Sequence, residues 1–591
     1  MCSISGIINK KNKVLNVEKF YDDSFELMKK RGPDNQRFIQ IDSICSLGHQ
    51  RLSIIDLSDE GNQPMSFEEF TIVFNGEIYN YVELKDDLKK HGVNFETNSD
   101  TEVLLKGYAE NGVLFFNKLN GMFAFAIYNK KTNELLLVRD RFGVKPLHYM
   151  VQNDVMYFSS EIKPLLKIKE EKKINISVYK SFFEHMATDY NEKTFVEGIY
   201  QVKAGHFIKI KEKLEDFRWY FGCDFFIDET IFENKESTLN FVEETLVSAI
   251  SYRMRADVPI CLTLSGGIDS TTLYTLIKER LHKDVKLFTF VHPGSETNEY
   301  DKVIKLASFY NDIICVVKSD NADNFEKLKE DLHVVEFPIW GVSTRAYRDM
   351  YDSINKSGFK VVIEGHGSDE QLGGYPYMAE SAFYDYLKKF NILKAIEMLK
   401  LMHETWHPQL VNKSSFYKTV IRSIGKFILN NKNIKLFQEN IDWTFDFKIL
   451  PIVLRAFDRL SMGSSIESRC PFMDYRVVEL FKKLPIEYKI NKIGNKAVLR
   501  EILKKYKKTY IYKDKKKMGF SSDLNSFFND YNNKKNSKHY IEKFDMKEFD
   551  FKKDKALELI NKEKILWSDT FELSKIITVS IINEKYGFTK E

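Results

Sequence analysis

The stretch that decides the fold of this chain is Leu262-Thr263-Leu264-Ser265-Gly266-Gly267-Ile268-Asp269-Ser270. An apolar run that begins at Val258 leads into it, and Leu273, Leu276 and Ile277 follow it at helical spacing. Such a pattern is typical of a glycine turn between a buried strand and an amphipathic helix. We therefore expect a strand, a tight turn and a helix in this order.

This turn has the features of a phosphate-binding loop. Its two glycines let the backbone approach a ligand, and the N–H groups at the start of the next helix attract anions. A carboxylate beside a phosphate is favourable only if a divalent cation lies between them, so Asp269 predicts Mg²⁺ together with ATP. The alternative is an ordinary Ser/Gly turn capped by Asp269. The predicted ATP-binding residues of this loop are Leu264, Ser265, Gly266, Gly267, Asp269 and Ser270.

The loop lacks the Walker pattern G-x-x-x-x-G-K-[ST], so a kinase-type phosphate loop is not expected. Its Ser-Gly-Gly-x-Asp-Ser sequence instead resembles the pyrophosphate loop of the ATP pyrophosphatases. That resemblance implies an enzyme that activates a carboxylate or carbonyl group as an adenylate and releases pyrophosphate.

Composition limits the other classes of function. The 591 residues carry a formal net charge of +4, from 89 basic and 85 acidic residues, which is too small to indicate nucleic acid or an anionic membrane as a partner. The six cysteines show no metal-ligand spacing, which favours a reducing cytoplasm. We find neither a signal peptide nor a run of 18 apolar residues, and we therefore expect a cytoplasmic protein.

Cys2 is the first candidate nucleophile. If Met1 is removed, Cys2 carries both a thiol and a free α-amino group, and an amino group of this kind has a pKa of about 7.7–8.0 and is a usable base. One residue then supplies both nucleophile and base. The alternative is that a cysteine stands at position 2 by accident, and position alone does not decide between the two.

Polar clusters that follow Cys2 favour the catalytic interpretation. They include 31–34 (Arg-Gly-Pro-Asp), 49–56 (His-Gln-Arg-Leu-Ser-Ile-Ile-Asp), 74–80 (Phe-Asn-Gly-Glu-Ile-Tyr-Asn) and 99–102 (Ser-Asp-Thr-Glu). In this order they resemble the class II glutamine amidotransferase domain, an N-terminal-nucleophile (Ntn) hydrolase. The resemblance implies that Cys2 attacks the side-chain amide of glutamine.

The same resemblance assigns the glutamine-binding residues. It implies that Arg51 pairs with the α-carboxylate, that Glu77 and Asp100 hold the α-ammonium group, and that Asn75 and the Gly76 N–H form the oxyanion hole. Taken singly, each residue has an ordinary structural explanation. Asn75-Gly76 is also a common hairpin turn, and Arg51 or Asp100 could be a surface charge.

Beyond the opening stretch, apolar runs alternate with helical patterns, which predicts a parallel sheet with helices on both faces. One loop after a predicted strand, 364–375, reads Glu-Gly-His-Gly-Ser-Asp-Glu-Gln-Leu-Gly-Gly-Tyr. Here the chain resembles the asparagine synthetases that hydrolyse glutamine. The resemblance implies that Asp369 joins Asp269 in binding Mg²⁺ and that Glu364 and Gly365 meet the adenosine of ATP.

Two positions of this second half stay open. His366 stands where some asparagine synthetases carry Glu and others Gln; it could transfer a proton during amidation or act as a neutral hydrogen-bond donor that shapes the acceptor pocket. The family also places an essential lysine in the basic run 513–520. We assign that role to Lys515, and Lys516 or Lys517 is the alternative register.

The predicted fold class is α/β. The two resemblances imply an Ntn-hydrolase αββα sandwich followed by a parallel-sheet ATP-pyrophosphatase domain with extra helices. The predicted domain bounds are 2–222 for the glutaminase, 223–240 for a linker, 241–530 for the synthetase and 531–591 for a helical, Lys-rich tail.

Three functions remain open at this point. The first is amidation of L-aspartate to L-asparagine through an acyl-adenylate, with glutamine as nitrogen donor, ATP as activator and Mg²⁺ as cofactor. The second is amidation of another carboxylate, such as a uronic acid or a cell-envelope precursor, with His366 and the loop 338–343 retuning the pocket. The third is a glutaminase or a structural scaffold without synthetase activity. A homodimer is one candidate assembly, but the sequence does not fix the oligomeric state.

Overall fold

The computed structural model describes residues 2–9, 11, 15–291, 300–318, 324–339, 344–405, 436–515 and 524–588. Within these ranges the chain forms two halves, an antiparallel two-sheet sandwich and a helix-covered parallel sheet. No helix among the described residues is both long enough and apolar enough to cross a bilayer.

The N-terminal half contains two six-stranded sheets. Their strand orders are β10-β8-β9-β1-β3-β2 and β12-β11-β7-β6-β5-β4, and neighbouring strands in both sheets run antiparallel. The strands are β1 (Ser3–Ile8), β2 (Asn35–Gln40), β3 (Cys45–Arg51), β4 (Met65–Phe67), β5 (Phe70–Ile78), β6 (Gly121–Asn129), β7 (Glu134–Arg139), β8 (His148–Gln152), β9 (Val155–Ser159), β10 (Tyr200–Gln201), β11 (His206–Ile210) and β12 (Leu214–Arg218). The helices are α1 (Val17–Met28), α2 (Tyr81–Lys90), α3 (Asp100–Asn111), α4 (Ile162–Ile168) and α5 (Ile176–His185).

Alternation along the strands builds the four layers of this half. Ile4 and Ile8 of β1 point between the sheets, where they meet Val73 of β5. Ile7 points the other way, onto α1, and Phe74 points from β5 onto α2 and α3. Because side chains alternate along a strand, each sheet buries one face against its partner and the other against helices. The predicted αββα sandwich is confirmed.

The second half is organised around a five-stranded parallel sheet of order β15-β14-β13-β16-β17. Its strands, with those of a small hairpin, are β13 (Ile260–Thr263), β14 (Lys286–Val291), β15 (Ile314–Lys318), β16 (Val361–Ile363), β17 (Glu467–Arg469), β18 (Ile490–Asn491) and β19 (Gly494–Asn495). The helices are α6 (Lys235–Arg253), α7 (Ile268–Glu279), α8 (Tyr300–Phe309), α9 (Asn324–Val335), α10 (Thr344–Lys356), α11 (Ser368–Gln371), α12 (Pro376–Lys388), α13 (Ile392–Thr405), α14 (Leu436–Trp443), α15 (Leu450–Met462), α16 (Tyr475–Lys483), α17 (Ile486–Lys489), α18 (Ala497–Lys505), α19 (Thr509–Tyr512), α20 (Leu524–Asn529), α21 (Tyr531–Lys543), α22 (Asp550–Ile560) and α23 (Trp567–Tyr586).

Both faces of the parallel sheet are buried. On β13, Leu262 packs towards α6 and α7, whereas Cys261 packs towards α9 and α10. Ile363 and Val362 of β16 divide in the same way. A parallel sheet covered by helices on both faces is the predicted second half of the fold, and it is confirmed.

The segment between the halves is more helical than the sequence suggested. We predicted a linker over 223–240 and a helix from 241, but α6 already begins at Lys235. The Asn234 side chain caps this helix by accepting from the Ser237 N–H at 3.0 Å. The missed signal is an N-cap asparagine inside a charge-rich stretch.

The C-terminal helices join the two halves. Phe544, which directly follows α21, and Ile577 of α23 share one apolar cluster with Phe183 of α5 and Leu332 of α9. The Tyr179 hydroxyl of α5 donates to Asn583 Oδ1 at 2.8 Å. The segment that we expected to be a Lys-rich tail therefore carries a large part of the shared core.

Candidate active sites

Cys2 lies directly before β1, beside the end of β3, in a closely packed position. It is 9% exposed, and its backbone N–H donates to Asn75 Oδ1 at 3.2 Å. Burial raises the pKa of the Cys2 thiol. A thiol that stays protonated at neutral pH needs a base to become a nucleophile, and the α-amino group exposed by removal of Met1 would lie on the same residue.

Asn75 offers a free hydrogen-bond donor next to Cys2. Because Asn75 Oδ1 accepts from Cys2, the Nδ2 group points elsewhere; it is buried and has no partner among the described residues. Gly76 adopts φ of +152°, and a Cβ on this residue would lie 2.1 Å from the Met122 carbonyl oxygen. The backbone here accepts no side chain, and an unpaired amide donor is the group that an oxyanion hole requires.

Arg51, the predicted carboxylate ligand, holds a loop in this structure. Its Nη1 donates to the Ser58 carbonyl at 2.7 Å and to Asn62 Oδ1 at 2.9 Å. Its Nη2 donates to the carbonyls of Ile55 and Asp56. All four Nη hydrogens are therefore directed at the segment 55–62. Pairing with a glutamine carboxylate stays a prediction, and a bidentate pair would have to replace some of these bonds.

Glu77 and Asp100, the predicted ammonium ligands, lie close to a pair of charges from the second half of the chain. Arg469 Nη2 of β17 lies 3.4 Å from Glu77 Oε1, and Arg469 Nε pairs with Glu467. Burial and the charge of Glu467 raise the pKa of Glu77, which Arg469 partly offsets. Glu77 Oε2 is buried without a hydrogen-bond partner in the described part of the chain. The carboxylates of Glu77, Asp100 and Glu467 thus lie around the single guanidinium of Arg469. This excess of negative charge favours binding of a further cation.

Asp100 is held by the start of α3. Ser99 caps that helix, and Asp100 Oδ2 accepts from the Ile78 N–H at 2.9 Å. Burial raises the pKa of Asp100 to about 7, although the hydrogen bond from Ile78 favours the ionised form. The charge of Glu467 also raises this pKa. A cationic ligand would favour the ionised form.

The glycine loop 264–270 forms the floor of a cavity of about 250 Å³ at the carboxyl end of the parallel sheet. Ser265 and Ser270 hydroxyls lie 3.1 Å apart, and the Gly267 N–H donates to Ser265 Oγ at 3.3 Å. Gly267 immediately precedes α7. Hydroxyl and N–H donors therefore line this cavity beside a helix N-terminus, as a phosphate requires. All six residues predicted for ATP binding in this loop line the cavity: Leu264, Ser265, Gly266, Gly267, Asp269 and Ser270.

Glu364 and Gly365 form the facing wall. Glu364 is buried and accepts from Tyr351 Oη at 2.8 Å and from Ser468 Oγ. Burial opposes its ionisation, but the charge of His366 and these hydrogen bonds bring the pKa of Glu364 below its ordinary value. A Cβ on Gly365 would lie 2.9 Å from Asp269 Cβ, so the two loops approach each other closely.

His366 lines the same cavity and stacks on an aromatic ring. Its ring centroid lies 3.6 Å from that of Phe457 in α15, and His366 Nε2 lies 3.6 Å from Glu364 Oε2. At that separation the contact is electrostatic, and Nε2 has no hydrogen-bond partner among the residues described. Both roles that the sequence allowed for His366 remain predictions.

Asp269 and Asp369 converge on one cation, the Lys496 ammonium. Lys496 Nζ lies 2.8 Å from Asp369 Oδ1 and also pairs with Asp269 Oδ2. Asp269 Oδ1 is buried and lacks a partner within the described chain. Nowhere in that part of the chain do three or more His, Cys, Asp or Glu residues form a metal cluster. Two carboxylates that meet at a cation fit Mg²⁺ bound together with phosphate oxygens.

Lys515 lies at the edge of this cavity, but its ammonium points away from the loop. Its Nζ donates to Glu404 Oε2 at 2.6 Å and to the Lys492 carbonyl at 2.8 Å. Lys516 and Lys517, the alternative registers, lie outside the described residues, as does most of the loop 338–343 with Trp340. Contact between Lys515 and the phosphates stays a prediction that requires its side chain to turn.

Strand β17 connects the two sites. Arg469 reaches Glu77 at one side, and the neighbouring Ser468 donates to Glu364 at the other. A second connection runs through Asp458 of α15, which pairs with Arg31, and Arg31 Nε donates to the Cys2 carbonyl at 3.3 Å. The predicted glutamine site and the predicted nucleotide site are thus linked by direct contacts.

Sequence reasoning missed the roles of three residues in these sites: Lys496, Arg469 and Phe457. Glu467 and Arg469 are charged residues within a short segment flanked by Ile466 and Cys470, and a buried ion pair is one reason for such a pattern. Nothing in the sequence pairs Lys496 with two aspartates more than a hundred residues away.

Comparison with protein families divides the chain in the same two parts. Residues 1–221 match the family model described as a glutamine amidotransferase domain. Residues 242–565 match the family model described as asparagine synthase, which covers more than half of the chain.

Individual relatives are similar over most of their length. Asparagine synthetase [glutamine-hydrolyzing] 3 of Bacillus subtilis is 28% identical over 85% of this chain and 84% of its own. Asparagine synthetase [glutamine-hydrolyzing] 1 of the same organism is 28% identical over 88% of this chain and 87% of its own. Amidase chry2 of Gibberella zeae is 26% identical over 88% of each chain.

Proposed function

The chain belongs to the asparagine synthase family, and from that premise we propose that it converts L-aspartate, L-glutamine and ATP to L-asparagine, L-glutamate, AMP and pyrophosphate. It is an ATP-dependent carbon–nitrogen ligase that hydrolyses glutamine. The acceptor and the roles of individual residues are part of this proposal.

In the first half-reaction the Cys2 thiolate attacks the side-chain amide carbon of glutamine. The α-amino group of Cys2, free once Met1 is removed, takes the thiol proton and passes it to the departing nitrogen. Asn75 Nδ2 and the Gly76 N–H would stabilise the negative oxygen of the tetrahedral intermediate. The C–N bond breaks, ammonia leaves and a thioester remains, which water hydrolyses to glutamate.

Substrate binding at this site rests on charge. Glu77 and Asp100 would hold the glutamine α-ammonium, in a pocket that already contains more carboxylates than cations. Arg51 would meet the α-carboxylate after exchanging some of its loop contacts. The substrate would then supply a positive charge to Glu77 and Asp100 and a negative charge to Arg51.

In the second half-reaction an oxygen of the aspartate side-chain carboxylate attacks the α-phosphorus of ATP, and pyrophosphate leaves. Ammonia attacks the carbonyl carbon of the resulting acyl-adenylate, and AMP leaves as the C–O bond breaks. The loop 264–270 would hold the phosphates, and Glu364 and Gly365 would meet the adenosine. Mg²⁺, when held by Asp269 and Asp369, would offset the charge of the phosphate oxygens.

The observation that carries this proposal is the short path between the sites within one chain. From Glu77 the contacts run through Arg469 and Ser468 of one strand to Glu364. A nitrogen donor site this close to an adenylation cavity supports an enzyme that makes ammonia at one site and uses it at the other.

A second candidate is amidation of a carboxylate other than that of aspartate. It is favoured by His366, which occupies the cavity wall where the family carries Glu or Gln, and which stacks on Phe457. It is also favoured by similarity to relatives named amidases. A scaffold without synthetase activity is disfavoured because the nucleophile, the oxyanion-hole residues and both aspartates are present.

The deciding experiment measures ATP–pyrophosphate exchange in the presence of single carboxylic acids, followed by mass spectrometry of the amide formed with glutamine. Exchange stimulated by aspartate, with asparagine as product, supports the first candidate. Exchange with a uronic acid or a cell-envelope precursor but not with aspartate supports the second. Exchange with no acid overturns both.

A further inference from the structure

A second cavity lies between the two halves, on the opposite side of α15 from the nucleotide cavity. It measures about 360 Å³, and among its walls are parts of β7, β11, the segment 189–191 and α15. Five arginines and two lysines line it, against two aspartates and no glutamate. None of the residues assigned to glutamine or ATP binding lines it. We call it the basic cavity.

Two guanidinium groups in the basic cavity have unused donors. Arg455 is 6% exposed and Arg459 is 1% exposed. Arg455 Nη1 forms an ion pair with Asp189 Oδ2 at 2.8 Å, but none of the three guanidinium nitrogens of Arg455 has a hydrogen-bond partner in the described chain. Arg459 Nε pairs with Glu336 at 2.8 Å, and its Nη2 is likewise unpaired. Buried donors without acceptors are costly unless a ligand completes them.

The other charges around these two arginines leave the cavity positive. Arg139 is held by the carbonyls of Gly143, Lys145 and Val202 and by the Gln201 amide, and none of these acceptors carries a charge. Arg141, Lys203 and Lys482 pair with Asp224, Asp216 and Asp446 respectively. Arg218 donates to the Tyr220 carbonyl.

Besides burial, the positive charge of the cavity contributes to lower pKa values of Arg455 and His148. Burial lowers the pKa of Arg455 to about 10. The charge of Asp189 opposes this shift, and the repulsion of Arg459 adds to it. Burial and the nearby arginines also hold the pKa of His148 well below its ordinary value, so His148 is neutral and adds no charge. His206, at the rim, pairs with Asp216. An anion in the cavity would relieve the repulsion among Arg139, Arg455 and Arg459.

We propose that the basic cavity binds a small oxyanion, the phosphate or carboxylate group of a metabolite, through the unused donors of Arg455 and Arg459. The two residues are four apart on α15 and so project from the same side of the helix. Planar guanidinium forks suit both phosphate and carboxylate. The cavity is larger than a phosphate ion, and the rings of Phe142 and Tyr220 border it, so an apolar body can accompany the anionic group.

Helix α15 connects the basic cavity to both predicted catalytic sites. The helix α15 that carries Arg455 and Arg459 also carries Phe457, which stacks on His366, and Asp458, which pairs with Arg31 beside Cys2. Binding of the oxyanion does not depend on the proposed function, so it can be tested without any activity measurement.

The test compares ligand binding to four full-length proteins: the wild type, Arg455→Gln, Asp189→Asn and, as a control, Lys211→Gln, which removes a positive charge from an exposed position outside the cavity. Inorganic phosphate and acetate are titrated separately at constant ionic strength, with chloride as reference. Binding is followed by calorimetry and by the rise in Tm. Phosphate that binds the loop 265–270 contributes equally to all four proteins and cancels in the comparison.

We expect Arg455→Gln to lose about tenfold or more in affinity at one site, because a charge-assisted hydrogen bond is lost. Asp189→Asn should bind more tightly, because it removes the acid that competes for Arg455, and Lys211→Gln should match the wild type. The opposite signs separate ligand binding from loss of folding. A response to phosphate alone assigns a phosphate ligand, and a response to acetate assigns a carboxylate. Equal titrations in all four proteins overturn the proposal.

Discussion

Arg469 Nη2 and Glu77 Oε1 lie 3.4 Å apart, so a side chain from the last strand of the parallel sheet forms part of the predicted glutamine site. Both side chains are buried; Arg469 also donates to the carbonyls of Arg253 and Arg255. The same guanidinium therefore fixes the edge of the synthetase sheet and balances charge in the glutaminase half.

Replacing Arg469 with glutamine should destabilise the whole protein. The change leaves Glu77 and Glu467 buried without their cation, and we expect the free energy of unfolding to fall by about 3–5 kcal/mol. The measurement is urea denaturation at pH 7.5. The control is Lys360→Ala, which breaks an exposed pair with Asp34 across the same boundary and should cost only about 0–1 kcal/mol. Equal losses in the two variants would contradict this reading.

Glutamine binding should weaken as the pH falls below neutrality. Asp100 must be ionised to hold an ammonium group, and the pKa of Asp100 is raised to about 7 by burial. We expect the Kd for glutamine to rise several-fold between about pH 8 and pH 6. Calorimetry with Cys2→Ala measures binding without turnover. In the Cys2→Ala, Asp100→Asn double variant the Kd should be higher at pH 8 and should change less with pH; an unchanged profile would rule out Asp100.

The raised pKa of Asp100 also makes the free energy of unfolding fall as the pH rises. The folded pKa of Asp100 lies above the unfolded value of about 3.9, so its contribution is fully present below pH 4 and is lost as the pH rises through 7. The difference in unfolding free energy between Asp100→Asn and the wild type should therefore grow in favour of the variant from pH 4 to pH 8. Urea titrations at four pH values test this, and a difference of opposite slope would refute it.

Removing the unpaired Asn75 donor should affect only the use of glutamine. For Asn75→Ala we expect glutamine hydrolysis to slow by about 10²–10³-fold, because one oxyanion donor is lost. Amidation with free ammonia should continue at the wild-type rate, and the same separation should be complete in Cys2→Ala. Rates are compared by mass spectrometry with glutamine or ammonium chloride as donor. If both donors fail equally in Asn75→Ala, its role is structural.

Lys496 should compete with Mg²⁺ for Asp269 and Asp369. Without metal, Lys496→Met leaves the two carboxylates facing each other, so its Tm in EDTA should fall below that of the wild type. Added MgCl2 should raise the Tm of Lys496→Met more than that of the wild type, because no ammonium has to be displaced. Lys211→Met is the control at an exposed site. A smaller Mg²⁺ response in Lys496→Met than in the wild type would disprove the competition.

Much of the fold was visible in local patterns. The apolar run, the Gly266-Gly267 turn and the helical spacing after it predicted β13 and α7 closely, because this unit is specified by neighbours in sequence. The start of α6 was missed by six residues, since the Asn234 cap lies among other polar residues.

The parts that escaped prediction are set by contacts distant in sequence. Lys496 meets Asp269 across 227 positions, and Arg31 meets Asp458 across 427 positions. Neither pair has a local signature. Arg51 is a different case: its charge and position suggested a ligand contact, while its loop partners at Ser58 and Asn62 appear only once the chain is folded.

Strand β17 also bears on how such a chain can evolve. It belongs to the synthetase sheet through its backbone and to the glutamine pocket through its side chains. If the glutaminase half of a relative replaced residues up to the segment 223–234, its glutamine pocket would face the Glu467 and Arg469 of this chain. That pocket and those two residues would then have evolved separately. Substitutions at Glu77 are therefore expected to be inherited together with compensating changes nearly four hundred residues away, so that the two halves descend as one unit.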